Sequence, residues 1–377
     1  AESKAESGKW KTNFVEMIFT LLIILILYFC ILFKKKDILT TENIEKAEQV
    51  IARAKRVVIV SHYNPDGDAV GASLALYHFF ANRKIQVNII LPNDIPEFLE
   101  WMPAYNTIII AQNNFKKADS IIKKADLLFF VDMNATHRSG AELEKILDEA
   151  TAFKILIDHH PEPNIDCDII YSSTKTSSTC ELIYNFLFKY LNKKEELTLE
   201  IAECIYVGIM TDTGSFSYMC NNPNTFLILA ELMKLKVDGE KIHRNVYDNY
   251  SIARIKLLGL LLCKRLTVLP EFATSYMYLT KKDMLQCNYK RGDTEGFVNY
   301  GLSMKIVKFT AFFIERDNRV RISFRSKGNF NVNNFAKKHF GGGGHRNASA
   351  AYYEDSLENT IAYFNQLLPL YAEELNS

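Results

Sequence analysis

Four short segments of the chain carry acidic and histidine side chains of the types that bind metal ions. These segments are Ser61-His62-Tyr63-Asn64-Pro65-Asp66-Gly67-Asp68, Asp132, Asp158-His159-His160 and Thr211-Asp212-Thr213-Gly214. So many carboxylates in one place would repel each other strongly unless divalent cations neutralised their charge. Carboxylates combined with imidazoles, without thiolates, suit manganese or magnesium better than structural zinc. The residue types therefore indicate a site for divalent metal ions, provided that the fold brings the four segments together.

Three of these segments follow short apolar runs that have the length and composition of buried strands. Two further runs of this kind occur, and helical patterns such as Ala72–Phe80 and Ala141–Ala150 lie between several of them. This alternation predicts a mostly parallel sheet covered by helices on both faces, the doubly wound α/β class. Ligands bind beyond the carboxyl ends of the strands in such sheets, which is where the acids and histidines lie. The five runs are Val57–Val60, Val87–Leu91, Thr107–Ile110, Leu127–Val131 and Ile155–Ile157.

The spacing within the first segment has a physical reason. Pro65 and Gly67 favour a tight turn, which lets His62, Asp66 and Asp68 converge instead of spreading along a strand. Taken singly, each acid or histidine has an ordinary explanation as a turn, a helix cap or a hydrogen-bonded imidazole. Their coincidence at three strand ends of one predicted sheet favours a functional metal site.

The second part of the chain is richer in strands than the first. Helical patterns at Thr179–Tyr190, Leu197–Met210 and Gly239–Lys264 are followed by strand patterns, a glycine run and a helix from about Ser356. The strand patterns are Ala273–Leu279, Phe309–Glu315 and Arg319–Arg325, and the glycine run is Gly341–Gly344. We predict a tail at 1–36, a catalytic domain at 41–238, a helical linker at 239–264 and a smaller substrate-binding α/β domain at 265–377, with the site in the cleft between the domains.

Charge is distributed unevenly over a nearly neutral chain. The net charge of +1 argues against binding to long duplex nucleic acid. Residues 305–346 nevertheless carry ten lysines and arginines against only Glu315 and Asp317. Strand alternation places Arg319, Arg321 and Arg325 on one face, which fits either a small anionic ligand or an ordinary solvated surface.

The N-terminal region contains a candidate membrane anchor. Met17–Phe33 is apolar except for Thr20, and Lys34, Lys35 and Lys36 follow it. A membrane span needs roughly 17–25 apolar residues, and positive residues favour the cytoplasmic side. We predict a cytoplasmic enzyme tethered to the inner face of the membrane by this run; the alternative is that the run is not an anchor. The seven cysteines form no CxxC pair, which fits free thiols in a reducing cytoplasm.

The four acidic and histidine segments resemble, in order and context, the motifs of the DHH phosphoesterase superfamily. The corresponding residues are His62, Asp66 and Asp68, then Asp132, then Asp158-His159-His160, and Asp212 within Gly208-Ile209-Met210-Thr211-Asp212-Thr213-Gly214. The tail Gly342-Gly343-Gly344-His345 resembles the glycine-rich motif of the DHH-associated C-terminal domain. The resemblance extends from about Asn43 to Leu375, with one departure, because Ala350 stands where a glycine is expected.

The resemblance implies two Mn²⁺ ions, with Mg²⁺ as an alternative. One ion would be held by His62, Asp66 and Asp132, and the other by Asp68, Asp132, His159 and Asp212. Asp132 would bridge the ions, about 3.5–4 Å apart, and water activated between them would attack phosphorus.

The resemblance also implies residues that act on the substrate. His160 is the candidate catalytic or phosphate-contacting residue, and Asp158 the candidate that orients the histidines. Arg138 follows the bridging acid closely and is a third candidate contact of the phosphate, with a solvated loop residue as the alternative. The candidate substrate-binding residues of the second domain are Arg325, Ser326, Gly342, Gly343, Gly344 and His345.

Among these enzymes, the sequence is most similar to the bifunctional type that cleaves short oligoribonucleotides to mononucleotides and converts 3′-phosphoadenosine 5′-phosphate to AMP. An anchored phosphodiesterase acting on cyclic di-AMP or linear dinucleotides is the alternative enzyme. A catalytically inactive nucleotide-binding protein is the alternative from another functional class. RecJ-type exonucleases would need additional nucleic-acid-binding sequence, and family II pyrophosphatases lack this glycine-rich tail. Cutting polarity, native metal and a homodimeric state are left open by the sequence.

Overall fold

The computed structural model describes residues 39–290 and 292–376. Its first sheet has six parallel strands in the order β3-β2-β1-β4-β5-β6. The strands are β1 (Arg56–Val60), β2 (Gln86–Leu91), β3 (Ile109–Ile110), β4 (Leu127–Val131), β5 (Phe153–Asp158) and β6 (Ile169–Ser172). The predicted doubly wound sheet is confirmed.

Helices cover both faces of this sheet, because its central strands β1 and β4 are apolar at every position except Arg56 and must be buried on both sides. On one face, Val58, Leu128 and Leu156 pack against Ile122 and Leu147 of two short helices. On the other face Phe129 packs against Phe80 with ring centroids 5.6 Å apart. The helices of this part are Thr41–Arg53, Gly67–Asn82, Phe115–Lys123, Ala141–Glu149, Thr179–Tyr184, Leu199–Asp212 and Pro223–Lys234, with a π-helix at Asn185–Tyr190 and shorter 3₁₀ turns.

The second sheet is mixed and has the order β11-β12-β10-β9-β8-β7. β8 and β9 pair in parallel, and the other neighbours are antiparallel. Its strands are β7 (Leu266–Leu269), β8 (Thr274–Leu279), β9 (Phe309–Glu315), β10 (Val320–Ser326), β11 (Gly343–His345) and β12 (Ala348–Tyr353). The helices around it are Gly239–Tyr247, Ile252–Lys264, Lys281–Gln286, Val298–Leu302, Val332–Phe340, Leu357–Leu367 and Ala372–Asn376.

The alternation along β10 separates a core face from a polar face. Val320, Ile322 and Phe324 are buried and belong to a cluster rich in phenylalanine, which includes Phe335 and Phe364 of two covering helices. The intervening residues of β10, from Arg321 to Arg325, are only partly buried. The predicted division of this strand into two faces is therefore confirmed.

The predicted helix at 239–264 is wrong as a single element. The structure has two helices, Gly239–Tyr247 and Ile252–Lys264, with Ser251 capping the second through its hydroxyl. An N-cap serine satisfies free backbone amides and so marks a helix start. The helix Pro223–Lys234 and strands β6, β7, β11 and β12 were not predicted at all.

The predicted membrane anchor, Met17–Phe33, lies outside the described residues. Within 39–290 and 292–376, no helix has the length and apolar character needed to cross a membrane.

Candidate metal centre

The strand order explains why the acidic segments meet. β4 lies between β1 and β5, so the residues that follow these three strands emerge side by side at one edge of the sheet. The chain also reverses its direction of winding between β1 and β4, and ligands bind at such switch points. Asp132, directly after the middle strand, adopts a left-handed backbone with φ 57°. Strained backbone of this kind is common at functional sites.

His62, Asp66 and Asp132 form one group of candidate ligands, with one donor atom of each within 4.8 Å of the others. His62 Nε2 lies 3.3 Å from Asp132 Oδ2, and its Nδ1 lies 3.0 Å from the Tyr63 carbonyl. A carbonyl only accepts, so Nδ1 carries the proton and Nε2 presents a lone pair to the carboxylate. Two acceptors at this separation need a proton or a cation between them.

Asp68, Asp132 and His159 form a second group that shares Asp132 with the first. His159 Nε2 lies 3.5 Å from both Asp132 Oδ1 and Asp212 Oδ2, and 3.9 Å from Asp68 Oδ2. Asp212 is the last residue of the helix Leu199–Asp212. All six predicted ligands therefore converge, and the cluster can bind metal ions.

A helix N-terminus that the sequence reasoning did not assign to the site holds two of the acids in place. The amides of Thr179 and Cys180 donate to the two oxygens of Asp68 at 2.6 and 2.9 Å, and the Thr179 hydroxyl donates to Asp132 Oδ1 at 2.9 Å. Helix N-termini favour negative charge because their amides are free and the helix dipole is positive there. The signal in the sequence was the run Ser177-Ser178-Thr179 before a helical pattern.

Two other buried polar residues were also missed. Asn93, which follows β2, accepts the Asn64 amide at 2.7 Å and fixes the turn between His62 and Asp66. Glu181 is buried and accepts four hydrogen bonds, two from Ser177 and one each from the side chains of Asn224 and Thr225. Asn93 follows a predicted strand at the same sheet edge, so its position was a usable signal.

Burial and mutual repulsion raise the pKa values of three carboxyl groups in this arrangement. Burial, followed by the nearby Asp132 and Asp66, raises the pKa of Asp68 well above its usual value. The pKa of Asp132 is raised in the same way by burial and by Asp66 and Asp158. Burial and the neighbouring acids also raise the pKa of Asp212. A cation would remove the energetic cost of the buried, charged carboxylates by neutralising their charge.

His160 was not predicted as a ligand, although it lies in two further groups that could hold a metal ion, one with Asp132 and Asp158 and one with His159 and His345. Its Nδ1 lies 2.8 Å from Asp158 Oδ1, and its amide donates to Asp158 Oδ2 at 3.1 Å. Burial raises the pKa of Asp158 to about 6, and burial together with Arg138 lowers the pKa of His160 well below its usual value. Arg138, in the short helix Thr136–Ser139, also lowers the pKa of His62 after the larger effect of burial.

His345, at the end of β11 in the second sheet, lies at the acidic centre. Its ring centroid lies 4.7 Å from that of His159 and 4.6 Å from that of His160, against which it stacks. Burial, followed by Arg138 and Arg325, lowers the pKa of His345 to about 4. Arg325, near the end of β10, donates to the Phe324 carbonyl and lies close enough to Asp212 to lower the pKa of that acid.

The other predicted substrate-binding residues make contacts within the second domain. The amides of Gly342 and Gly344 donate to the Ala336 carbonyl and to Asn333 Oδ1. Gly344 has φ 145°, and a Cβ there would lie 2.5 Å from the Ala348 carbonyl oxygen, so close backbone packing already requires glycine. The buried Ser326 hydroxyl donates to the Phe330 carbonyl. A phosphate-binding role for these residues and for Gly343 stays a prediction.

Comparison with known families matches both halves of the chain. The model of the DHH family, N-terminal domain, matches residues 56–209, and the model of the DHHA1 domain matches residues 272–369.

Curated relatives and solved structures match over most of the chain. The bifunctional oligoribonuclease and PAP phosphatase NrnA of Mycoplasma genitalium is 30% identical over 82% of this chain and 92% of the relative. The probable bifunctional oligoribonuclease and PAP phosphatase NrnA of Streptococcus mutans is 27% identical over 81% of this chain and 92% of its own. An exopolyphosphatase-related protein from Bacteroides fragilis superposes with a TM-score of 0.86 and 38% identity, covering 91% of this chain and 100% of that structure. RecJ of Thermus thermophilus in complex with Mn²⁺ shares the fold, with a TM-score of 0.51 and 15% identity over 89% of this chain and 54% of RecJ.

Proposed function

Since this chain belongs to the DHH family of phosphoesterases and carries a DHHA1 domain after the DHH domain, we propose that it hydrolyses short oligoribonucleotides to mononucleotides and 3′-phosphoadenosine 5′-phosphate to AMP. The observation that carries this proposal is the contact of His345, from the second sheet, with His159 and His160 at the acidic centre. A hydrolytic site and a residue of the basic C-terminal region thus meet at one place. The names of the M. genitalium and S. mutans relatives combine the same two activities.

The donor set fits two divalent cations that share Asp132. His62, Asp66 and Asp132 would hold one cation, and Asp68, Asp132, His159 and Asp212 the other. Oxygen and imidazole donors without a thiolate favour Mn²⁺, with Mg²⁺ as the alternative. When bound, the two cations supply a polarised phosphate and a more acidic attacking water.

The chain's own residues would orient the substrate and move protons. Asp158 fixes the His160 ring through Nδ1, which leaves Nε2 of the neutral imidazole to exchange a proton with a reacting oxygen. His345, stacked on His160, and Arg325 are the candidate groups for the substrate phosphate on the side of the second sheet. Arg138 is the candidate phosphate contact on the side of the first sheet. A guanidinium offers a fork of donors that matches phosphate geometry.

Short anionic substrates fit the charge of the protein better than long duplexes. The whole chain has a net charge of +1, and residues 305–346 carry a local excess of basic residues, ten lysines and arginines against Glu315 and Asp317. Long polymers would need an extended basic surface. The cytoplasmic location, with a tether at residues 17–33, rests on the sequence pattern alone.

A competition assay with Mn²⁺ tests the proposal. The full chain would be given a short oligoribonucleotide, 3′-phosphoadenosine 5′-phosphate, cyclic di-AMP, pyrophosphate and polyphosphate in one mixture. We expect the first two to be consumed first. Preference for cyclic di-AMP would favour an anchored signalling enzyme, and preference for polyphosphate would favour an exopolyphosphatase activity, to which the B. fragilis protein is described as related.

Asp132→Asn provides the matched control, because it keeps the size of the shared candidate ligand and removes its charge. We expect hydrolysis of every substrate to fall to background. Tight nucleotide binding by wild type without turnover would instead support an inactive binding protein.

A further inference from the structure

The loop after Asp212 has an unusual backbone for its composition. Gly214, Ser215 and Phe216 follow one another in the left-handed region, with φ 55°, 57° and 63°, and Met219 has φ 49°. Residues other than glycine rarely adopt this conformation, and it persists only where the surroundings enforce it. The loop is therefore held in a specific shape directly beside a candidate metal ligand.

Thr213 and the end of its helix enforce that shape. The buried Thr213 accepts the amides of Ser217 and Tyr218 at its carbonyl, both at 2.9 Å, and the amide of Phe216 at its hydroxyl at 3.0 Å. The Ser215 amide donates to the Met210 carbonyl at 2.8 Å. The Phe216 ring turns inward and contacts Tyr206 with centroids 5.8 Å apart.

This rigid loop presents an aromatic side chain to solvent at the metal centre. Tyr218 is 47% exposed. Its ring lies against the backbone of Gly214, where a Cβ would come within 2.9 Å of the Tyr218 Cδ2 atom. Burial lowers the pKa of Arg325, and Glu295, Asp212 and Tyr218 are close enough to offset part of that effect. Tyr218 therefore lies near Arg325, the candidate phosphate contact of the second sheet, and its loop directly follows the candidate metal ligand Asp212 at the end of a helix.

We propose that the Tyr218 ring is a stacking surface for a nucleobase of the substrate. The proposal rests on the proposed function and deepens it, because it assigns recognition of the base to a residue outside the metal centre. A ring held rigidly before binding loses little entropy when a base stacks on it. Stacking on an aromatic ring tolerates every base, which suits an enzyme that degrades short oligoribonucleotides of mixed sequence.

The test compares a diadenosine dinucleotide with the same dinucleotide lacking both bases. Steady-state kcat and KM with Mn²⁺ would be measured for wild type, Tyr218→Ala and Tyr218→Phe. Phe226→Ala is the matched control, because Phe226 is an aromatic residue that is 50% exposed on the neighbouring helix Pro223–Lys234. Mn²⁺ affinity and thermal unfolding of each variant would show whether the centre is intact.

We expect Tyr218→Ala to raise KM for the dinucleotide roughly 5- to 100-fold, the range for loss of one base–aromatic stack. KM for the abasic substrate should not change, and Tyr218→Phe and Phe226→Ala should behave as wild type on both. An equal loss on both substrates, or no loss on either, would overturn the stacking role.

Failure of the proposed function has a separate signature. If wild type cleaves neither dinucleotide, the substrate assignment is wrong, and equilibrium binding of AMP then decides the stacking role. AMP affinity that is the same in wild type and Tyr218→Ala would overturn it, and affinity lost in Tyr218→Ala but kept in Tyr218→Phe would support it.

Discussion

The acids at this centre face both other hydrogen-bond acceptors and the donor amides of a helix start. His62 Nε2 lies 3.3 Å from Asp132 Oδ2, and the amides of Thr179 and Cys180 already occupy Asp68. Burial and neighbouring acids raise the pKa of Asp68, Asp132 and Asp212. Without metal, the folded site therefore retains protons at pH values at which free carboxyl groups have lost them.

Metal binding should consequently release protons and strengthen as the pH rises. The raised pKa values mean that Mn²⁺ must displace protons from carboxyl groups, whereas the histidines are already neutral because their pKa values are lowered. Isothermal titration of Mn²⁺ in two buffers with different ionisation enthalpies would count the protons released. Affinity that is independent of pH, with no proton release, would contradict this account.

The Asp158→Asn variant tests whether orientation of His160 matters separately from metal binding. Asp158→Asn keeps the size of the side chain but weakens its 2.8 Å contact with His160 Nδ1. We expect kcat to fall roughly 10- to 100-fold, the usual effect of losing such a supporting contact, with little change in Mn²⁺ affinity. Asp166→Asn, at an exposed position after β5, is the control. A parallel loss of Mn²⁺ affinity would show that Asp158 supports the metal ligands instead.

At the scale of elements, the centre depends on how one short helix is anchored. Glu181 accepts hydrogen bonds from Ser177, Asn224 and Thr225, and so ties the start of Thr179–Tyr184 to the helix Pro223–Lys234. The same helix start donates two amides to Asp68. Any movement of this helix would thus displace Asp68, a candidate metal ligand.

Glu181→Ala should therefore weaken both the fold and the metal site. The buried donors left without an acceptor cost about 1–3 kcal/mol each, and the helix start loses its anchor. Urea unfolding and Mn²⁺ titration would measure the two effects, with the exposed Glu195→Ala as control and Glu181→Gln as a partial rescue. Loss of stability with unchanged Mn²⁺ affinity would show that Glu181 stabilises the fold without supporting the metal site.

Some residues of the centre were predictable from the sequence, and others were not. The strand ends that carry His62, Asp132 and Asp158 were predictable, because apolar runs and parallel topology place them at one edge. Thr179 reaches Asp68 across 111 residues of chain, and no local pattern encodes such a contact. The sequence predicted one helix across Ser251 because the helical spacing of apolar residues continues on both sides of it. In the structure, Ser251 caps the start of a new helix.

At the scale of the whole described chain, the centre combines side chains from both sheets. His345 stacks on His160, and Lys337 pairs with Glu162 at 2.6 Å, so both contacts join the C-terminal region to the loop after β5. The two contacts differ in burial. His345 is half-buried at the centre, whereas the side chains of Lys337 and Glu162 are 44% and 74% exposed.

This difference distinguishes the proposed substrate contact, His345, from a contact that only joins the two parts. His345→Ala and Arg325→Ala should each raise KM for a dinucleotide roughly 10- to 100-fold, because a hydrogen bond to a charged phosphate is lost. Mn²⁺ affinity should stay as in wild type, since neither residue is one of the six predicted ligands of the two cations; His345 lies in a separate group with His159 and His160. Lys337→Ala is the control, because exposed ion pairs contribute at most about 1 kcal/mol. If Lys337→Ala reproduced the loss, the second sheet would act through its placement against the first, and if Mn²⁺ affinity fell in His345→Ala, His345 would belong to the metal site.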